Sequence, residues 1–216
     1  MPATLAAEKP DDQAPPKLSK GQRTASRILD AAESVFAQQG YEATTLRQIA
    51  SQAGVTEPAL YNHFPNKKAL YEAVLNRGLA PMAKALTQLI EDGGDDAVSM
   101  GLPLAMTDIL AEHPPMAALF QQALQGDEES VGNKLIRDWL DKLLLLGSAS
   151  MTAAGLSGRP NRASMAIHVI AMFNLTTGYF LSQRAFDTLA PGSILDTANL
   201  DRQKRLLQKI SRALSS

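Results

Sequence analysis

The stretch from Thr44 to Lys68, TTLRQIASQAGVTEPALYNHFPNKK, constrains this chain more than any other. It packs two helix starts and one tight turn into one short segment. Thr45 precedes an apolar-periodic run and Gln48 stands three residues later, a capping box that starts a helix at Thr45. Leu46, Ile49, Ala50 and Ala53 then share one helical face. Gly54 ends that helix where a positive φ is needed, which glycine accepts at no steric cost. Thr56 caps the next helix and Pro58 sits in its first turn, where a missing N–H is harmless. Leu60 and Phe64 face inward one turn apart, Pro65 closes the helix, and Asn66 caps a further one beginning at Lys67.

A helix before this stretch completes a three-helix unit. From Ser26 to Gln39, Ile28, Ala32, Val35 and Phe36 recur at the spacing of one apolar stripe, and Gly40 is a good stop. Two short capped helices around a glycine turn, backed by a third, form a helix-turn-helix. In that motif the second helix of the pair enters a DNA major groove.

Charge is consistent with this reading but would not have suggested it alone. The chain of 216 residues carries a net −1, yet residues 17–78 hold eight Lys/Arg against five acids, a local balance of +3. There are no cysteines, so disulfides and thiol catalysis are excluded. The longest apolar run, Ile167–Leu181, is interrupted by His168, Asn174, Thr176 and Thr177 and is too polar for a membrane span. With no apolar signal core at the N-terminus, a cytoplasmic protein without a membrane partner is expected. Residues 1–16 are rich in Pro, Ala and charge and read as a disordered tail.

Beyond Lys67 the chain reads as helix after helix, since β-branched residues are sparse and Ala, Leu and Met abundant. A helix runs toward Gly78, is kinked or interrupted at Pro81 and resumes over Met82–Glu91. Asp92–Asp96 reads as a turn. Helices follow over Ala97–His113, Met116–Gln125 and Val131–Thr152, the last with Leu135, Trp139, Leu143 and Leu146 as its stripe. Pro114–Pro115, Gly126–Ser130 and Gly155–Pro160 separate them, and Asn161–Phe186 and Ala198–Leu214 end the chain. The Asn161–Phe186 helix is apolar almost all round, with Ala166, Ile170, Phe173 and Phe180 facing one way and Met165, Val169, Met172, Leu175 and Tyr179 another. It must be covered on several sides, and a second subunit is one candidate cover.

The pattern T-x-R-x-I-A-x-x-A-G-V-T-x-x-x-L-Y-x-H-F-x-x-K, carried here by Thr45, Arg47, Ile49, Ala50, Ala53, Gly54, Val55, Thr56, Leu60, Tyr61, His63, Phe64 and Lys67, resembles the N-terminal domain of the tetracycline-repressor (TetR) family of bacterial transcriptional regulators. The likeness covers roughly residues 20–75; beyond it only the helix order and the acid-His-Pro ending at Glu112–Pro114 are similar. It implies an all-α protein: a tail over 1–19, a three-helix DNA-binding domain over 20–66 and a helical effector-binding and dimerisation domain over 67–216. It also implies a homodimer, paired through residues 161–186 and 198–214, that represses from a palindromic operator until a small molecule releases it.

Family roles carry over residue by residue. Arg47 matches a position that reaches a base or a phosphate, and an arginine can bridge guanine O6 and N7; otherwise it is a solvated charge. Thr45 matches a phosphate-contacting cap, Tyr61 and His63 match phosphate or base contacts, and Lys67 resembles a phosphate clamp at a helix N-terminus. The plain alternatives are capping alone for Thr45 and packing for Tyr61 and His63. Three places depart from the commonest pattern. Glu57 accepts from a cytosine N4 or simply complements the helix dipole. Pro58 and Ala59 offer only apolar contact to a thymine methyl. Asn62 reads adenine or is merely solvated.

For the effector, Met106, Met116, Phe120, Trp139, Leu143, Met172 and Phe173 are candidate lining, against the alternative of ordinary core. His168, Asn174 and Thr177 interrupt an apolar helix and need polar partners: a ligand, a neighbouring helix or a second subunit. Such a lining suits an apolar or aromatic ligand. An all-helical enzyme is the rival from another class. The three histidines, at 63, 113 and 168, show no metal-ligand spacing, and there is no Gly-rich phosphate loop or nucleophile elbow. No metal, cofactor or catalytic residue is expected. A regulator without a ligand switch, or an activator, is a further alternative of the same fold.

Overall fold

The computed structural model describes residues 19–153 and 162–215. Among them there are nine helices and no strand: α1 (Lys20–Ala43), α2 (Leu46–Ala53), α3 (Glu57–Tyr61), α4 (Lys67–Glu112), α5 (Pro115–Gln125), α6 (Val131–Ala153), α7 (Arg162–Phe180), α8 (Gln183–Leu189) and α9 (Thr197–Ser215). The expected tail over 1–16 and the loop Gly155–Pro160 lie outside the described residues, as does the side chain of Leu146.

α1 starts six residues earlier than its apolar stripe suggests. Ser19 and Gln22 close a capping box, with Gln22 N–H donating to Ser19 Oγ at 3.2 Å and Ser19 N–H to Gln22 Oε1 at 2.8 Å. Two satisfied N-terminal donors set that start before any residue reaches the core. Gly40, with φ +79, interrupts the helix one turn before its end.

α4 is the largest departure from expectation. It runs unbroken over 46 residues, through both Pro81 and Pro103, and so spans about 70 Å at the usual rise. Gly78 does not stop it. A Cβ there would lie 2.8 Å from both Met116 Cγ and Phe120 Cζ, so the glycine permits the close approach of α5. Pro81 is exposed, so its ring meets solvent and not a packed neighbour, although it removes one helical hydrogen bond. Nor is there a turn at Asp92–Asp96, which is helical. Helix on both sides overrides the weak intrinsic propensity of Gly93–Gly94.

The single helix expected over Asn161–Phe186 is two, α7 and α8, bent by 68°. The last turn of α7 tightens, with Leu181 N–H donating to Gly178 O at 3.2 Å and Ser182 N–H to Tyr179 O at 3.1 Å. Beyond the bend the Gln183 amide oxygen accepts from Ile194 N–H at 3.0 Å, and Tyr179 Oη donates to Ile194 O. Those tertiary bonds fix a corner that apolar periodicity does not mark. No single described helix is long and apolar enough to cross a membrane.

One core joins the first three helices to the rest. Ile28, Phe36, Ile49, Leu60, Leu70, Leu75, Leu110, Met116, Leu119, Phe120 and Ile136 are fully buried in one cluster. α1 packs on α2, α4 and α5, and α4 packs on α5, α6, α7 and α9.

Candidate nucleic-acid interface

The unit from α2 to the start of α4 is assembled by local capping. Thr45 Oγ1 accepts from Gln48 N–H at 3.3 Å while Thr45 N–H donates to Gln48 Oε1 at 2.9 Å. Gly54 adopts φ +62 and ψ +40, the left-handed conformation its position demands, and Val55 N–H reaches back to Ala50 O at 3.0 Å. Thr56 Oγ1 accepts from Ala59 N–H and Asn66 Oδ1 from Ala69 N–H at 2.8 Å, capping α3 and α4. Ile49, Ala50, Ala53 and Leu60 bury the inner face. The opposite side is left free.

On that free side Thr45, Arg47, Glu57, Pro58, Tyr61 and Asn62 are exposed, while Ala59, His63 and Lys67 are half-buried. Tyr61 keeps half of its surface in solvent although it lies next to buried Leu60. The Arg47 side chain is 86% exposed, and its Nε lies 3.9 Å from Glu57 Oε1. At that distance in solvent the pair adds little stability. It does set a guanidinium from α2 beside a carboxylate from α3. Arginine, tyrosine, asparagine and glutamate together supply donors, acceptors and an aromatic face, the range needed against phosphates and base edges.

Two cations of this region are used internally. Arg27 Nη2 donates to Ala53 O at 2.8 Å and Gly54 O at 3.1 Å, capping the C-terminus of α2. The Lys67 ammonium donates to the carbonyls of Tyr41, Glu42 and Thr44 at 2.8, 3.1 and 3.0 Å and lies 4.4 Å from the Tyr41 ring centroid. Reading the sequence missed Arg27, which sits on the first helix with nothing local to mark its use. Lys20 and Arg23, counted in the local charge balance, are exposed on the first turn of α1.

The unit is tied to the helices behind it through Glu33 of α1, which is buried. Arg77 Nη1 lies 2.5 Å from Asp30 Oδ1 and 3.7 Å from Glu33 Oε2, and His113 Nδ1 lies 3.3 Å from the same Glu33 oxygen. Burial lifts the Glu33 carboxyl above its ordinary range, against the pull of His113 and Arg77. Gln122 of α5 adds a bond to Ala37 O at 2.9 Å.

The candidate effector residues divide. Met106, Met116, Phe120, Trp139, Leu143, Phe173 and Thr177 are buried, and Met172 is half-buried. Phe120 and Phe173 meet with ring centroids 6.4 Å apart. Of the three polar residues that interrupt this helix, His168 and Asn174 are exposed and Thr177 is buried. α7 is apolar all round; among the described residues Phe173, Thr176, Thr177 and Phe180 are buried, while Ile167, Ile170 and Leu175 are exposed. Gln121 of α5, absent from the expected set, donates to Asn174 Oδ1 at 2.9 Å and Thr177 Oγ1 at 2.7 Å. Among the described residues the buried Trp139 indole N–H has no hydrogen-bond partner. An open groove of about 200 Å³ between α6 and α7 is lined by Arg137, Leu140, Asp141, Leu144, Ala166, Val169 and Ile170, none of them in the expected set.

Residues 28–74 match the family model described as bacterial regulatory proteins, tetR family. The HTH-type transcriptional regulator SrpR of Pseudomonas putida is 36% identical over 123 residues, covering 55% of this chain and 55% of SrpR. The chain thus spans about half the length of that relative. The uncharacterized HTH-type transcriptional regulator TtgW, also of Pseudomonas putida, is likewise 36% identical over 123 residues, covering 55% of this chain and 88% of TtgW. Among solved structures, the TetR family transcriptional regulator PfmR from Thermus thermophilus superimposes with a TM-score of 0.62 at 19% identity, covering 87% of this chain and 96% of PfmR.

Proposed function

This chain belongs to the TetR family of bacterial regulatory proteins, and on that premise we propose that it is a homodimeric repressor released from a palindromic operator by a small, largely apolar ligand. A DNA-binding transcriptional regulator is the general function of the family. The observation that carries the DNA-reading part is the exposed set Arg47, Glu57, Tyr61 and Asn62 on a capped helix-turn-helix whose inner face is buried. Arg47, Tyr61 and Asn62 read bases or phosphates, with Thr45 and His63 on the backbone and Glu57, Pro58 and Ala59 tuning which bases are accepted. The reading unit is residues 20–66, and residues 67–216 form the effector-binding and dimerisation part.

Dimerisation is supported by α7 and α9, which leave Ile167, Ile170, Leu175 and Leu206 exposed. Apolar side chains of that size on neighbouring helices favour a closed twofold contact, which sets two reading units on one face of a duplex. The effector site is supported by the buried Met106, Met116, Phe120, Trp139, Leu143 and Phe173. The Trp139 N–H, without a partner among the described residues, and the Gln121–Thr177 pair give that apolar interior the few polar groups that orient a ligand. Light scattering with and without a duplex, followed by duplex affinity in the presence of apolar compounds, tests this reading. A dimeric mass and a compound that weakens DNA binding are expected; a monomer at micromolar concentration on and off DNA contradicts the twofold arrangement.

A further inference from the structure

We propose that Lys67 is a positioning residue for the DNA-reading unit, a pin that holds the α1–α2 junction, and that it supplies no charge to the DNA backbone. This rests on the DNA-reading function proposed above. Three carbonyl oxygens, of Tyr41, Glu42 and Thr44, converge on the one ammonium at 2.8–3.1 Å. An ammonium has three donors, so none is left for a phosphate. The Tyr41 ring 4.4 Å away adds a cation–π contact, and Tyr41 is itself fixed against Phe36 and Tyr71 with ring centroids 6.0 and 4.8 Å apart.

The carbonyls belong to the segment where α1 fails as a helix. Gly40 breaks its regular geometry at φ +79, and Thr44 is its extended C-cap. Carbonyls at such an end lack intrahelical partners. Lys67, the first residue of α4, satisfies three of them from 23 or more residues away in sequence. The residue after Thr44 is Thr45, the cap of α2, and Arg47 follows within the next turn. The pin therefore fixes the backbone from which those two exposed side chains are presented. Arg27 does the same at the other end of α2, so two of the cations in the +3 region hold α2 in place and the charge that meets DNA comes from other residues.

Salt dependence separates the two roles. A lysine that neutralises a phosphate contributes about 0.9 to the slope of log affinity against log salt. A pin contributes nothing to the slope. The test uses the full chain and a duplex enriched by wild type from a random pool. Its affinity for wild type, Lys67→Met and Lys67→Arg is measured from about 50 to about 200 mM salt. The proposal predicts roughly five- to hundredfold weaker binding by K67M, the size of a misplaced base contact, with the wild-type slope. K67R, whose planar fork cannot serve three converging carbonyls, is not expected to restore binding. A shallower slope for K67M together with recovery in K67R overturns the proposal. If wild type enriches no duplex, the DNA-reading function itself fails, a distinct outcome. Amine labelling of the unmodified protein, read by mass spectrometry, does not depend on a variant folding. Lys67 should be protected relative to exposed Lys20 and Lys68 both with and without duplex; labelling of free protein at Lys67 as fast as at Lys68 overturns the proposal.

Discussion

His113 Nδ1 lies 3.3 Å from Glu33 Oε2, a contact that joins the C-terminal end of the long helix α4 to the middle of α1. The histidine belongs to the proposed sensing half and the glutamate to the reading half, so a contact to a buried carboxyl joins the two halves. Glu33 is 4% exposed and burial raises its carboxyl from the ordinary 4.5. A carboxyl raised on folding holds its proton more tightly folded than unfolded. Its contribution to stability is then full below the ordinary value and is lost as pH rises through the raised one. Glu33→Gln does not titrate. The stability of wild type minus that of the variant, from denaturant midpoints, should fall as pH is raised from below 4.5 toward neutrality; a difference independent of pH contradicts this.

Gly54 carries the turn between α2 and α3 at φ +62. A Cβ there would meet only Arg27 Nη2 at 3.8 Å, so crowding is not the issue and the left-handed backbone is. Gly54→Ala should cost about 1–2 kcal/mol, and Gly54→Asn less, since asparagine tolerates that region. Equal losses for the two, measured by denaturant unfolding, would point to a contact and not to backbone conformation.

These caps are the part of the fold that was legible in the sequence. Thr45 with Gln48, Thr56 and Asn66 each bond to backbone three residues away, so the pattern and the structure are nearly the same statement. What was hidden depends on distant partners. Gly78 and Gly93 look like helix stops, yet α4 runs through both because α5 packs against the first and helix continues on either side of the second. Lys67 looks like a free cation at a helix N-terminus until Tyr41, Glu42 and Thr44 are brought beside it. His168 looks buried because its helix is apolar, but among the described residues it is exposed, as Ile167 and Ile170 beside it are.

Gly78 lets α4 and α5 touch. Replacement by alanine gains roughly 1 kcal/mol of helix propensity. It also places a methyl 2.8 Å from Met116 Cγ and Phe120 Cζ, and overpacking of that kind costs about 1–3 kcal/mol. The second effect wins. Gly78→Ala should lower the melting temperature, and an increase would mean that α5 gives way without cost.

Trp139 holds a buried N–H with no acceptor among the described residues. If an effector occupies this interior, it should carry an acceptor for that donor, and Trp139→Phe should abolish the thermal shift the effector produces while leaving duplex binding intact. The check is paired melting curves and duplex titrations. An undiminished thermal shift in the variant would place the effector elsewhere.

The central claim is that the exposed face of α2 and α3 reads DNA sequence. Selection of bound duplexes from a random pool by the wild-type chain tests it most directly, followed by titration of the enriched duplex with Arg47→Ala and Tyr61→Ala at one fixed salt concentration. An enriched palindrome is predicted, with each variant binding it more weakly by about 1–3 kcal/mol for a lost base contact, or less for a lost phosphate contact. No enriched sequence, with both variants indistinguishable from wild type on every duplex, would contradict it.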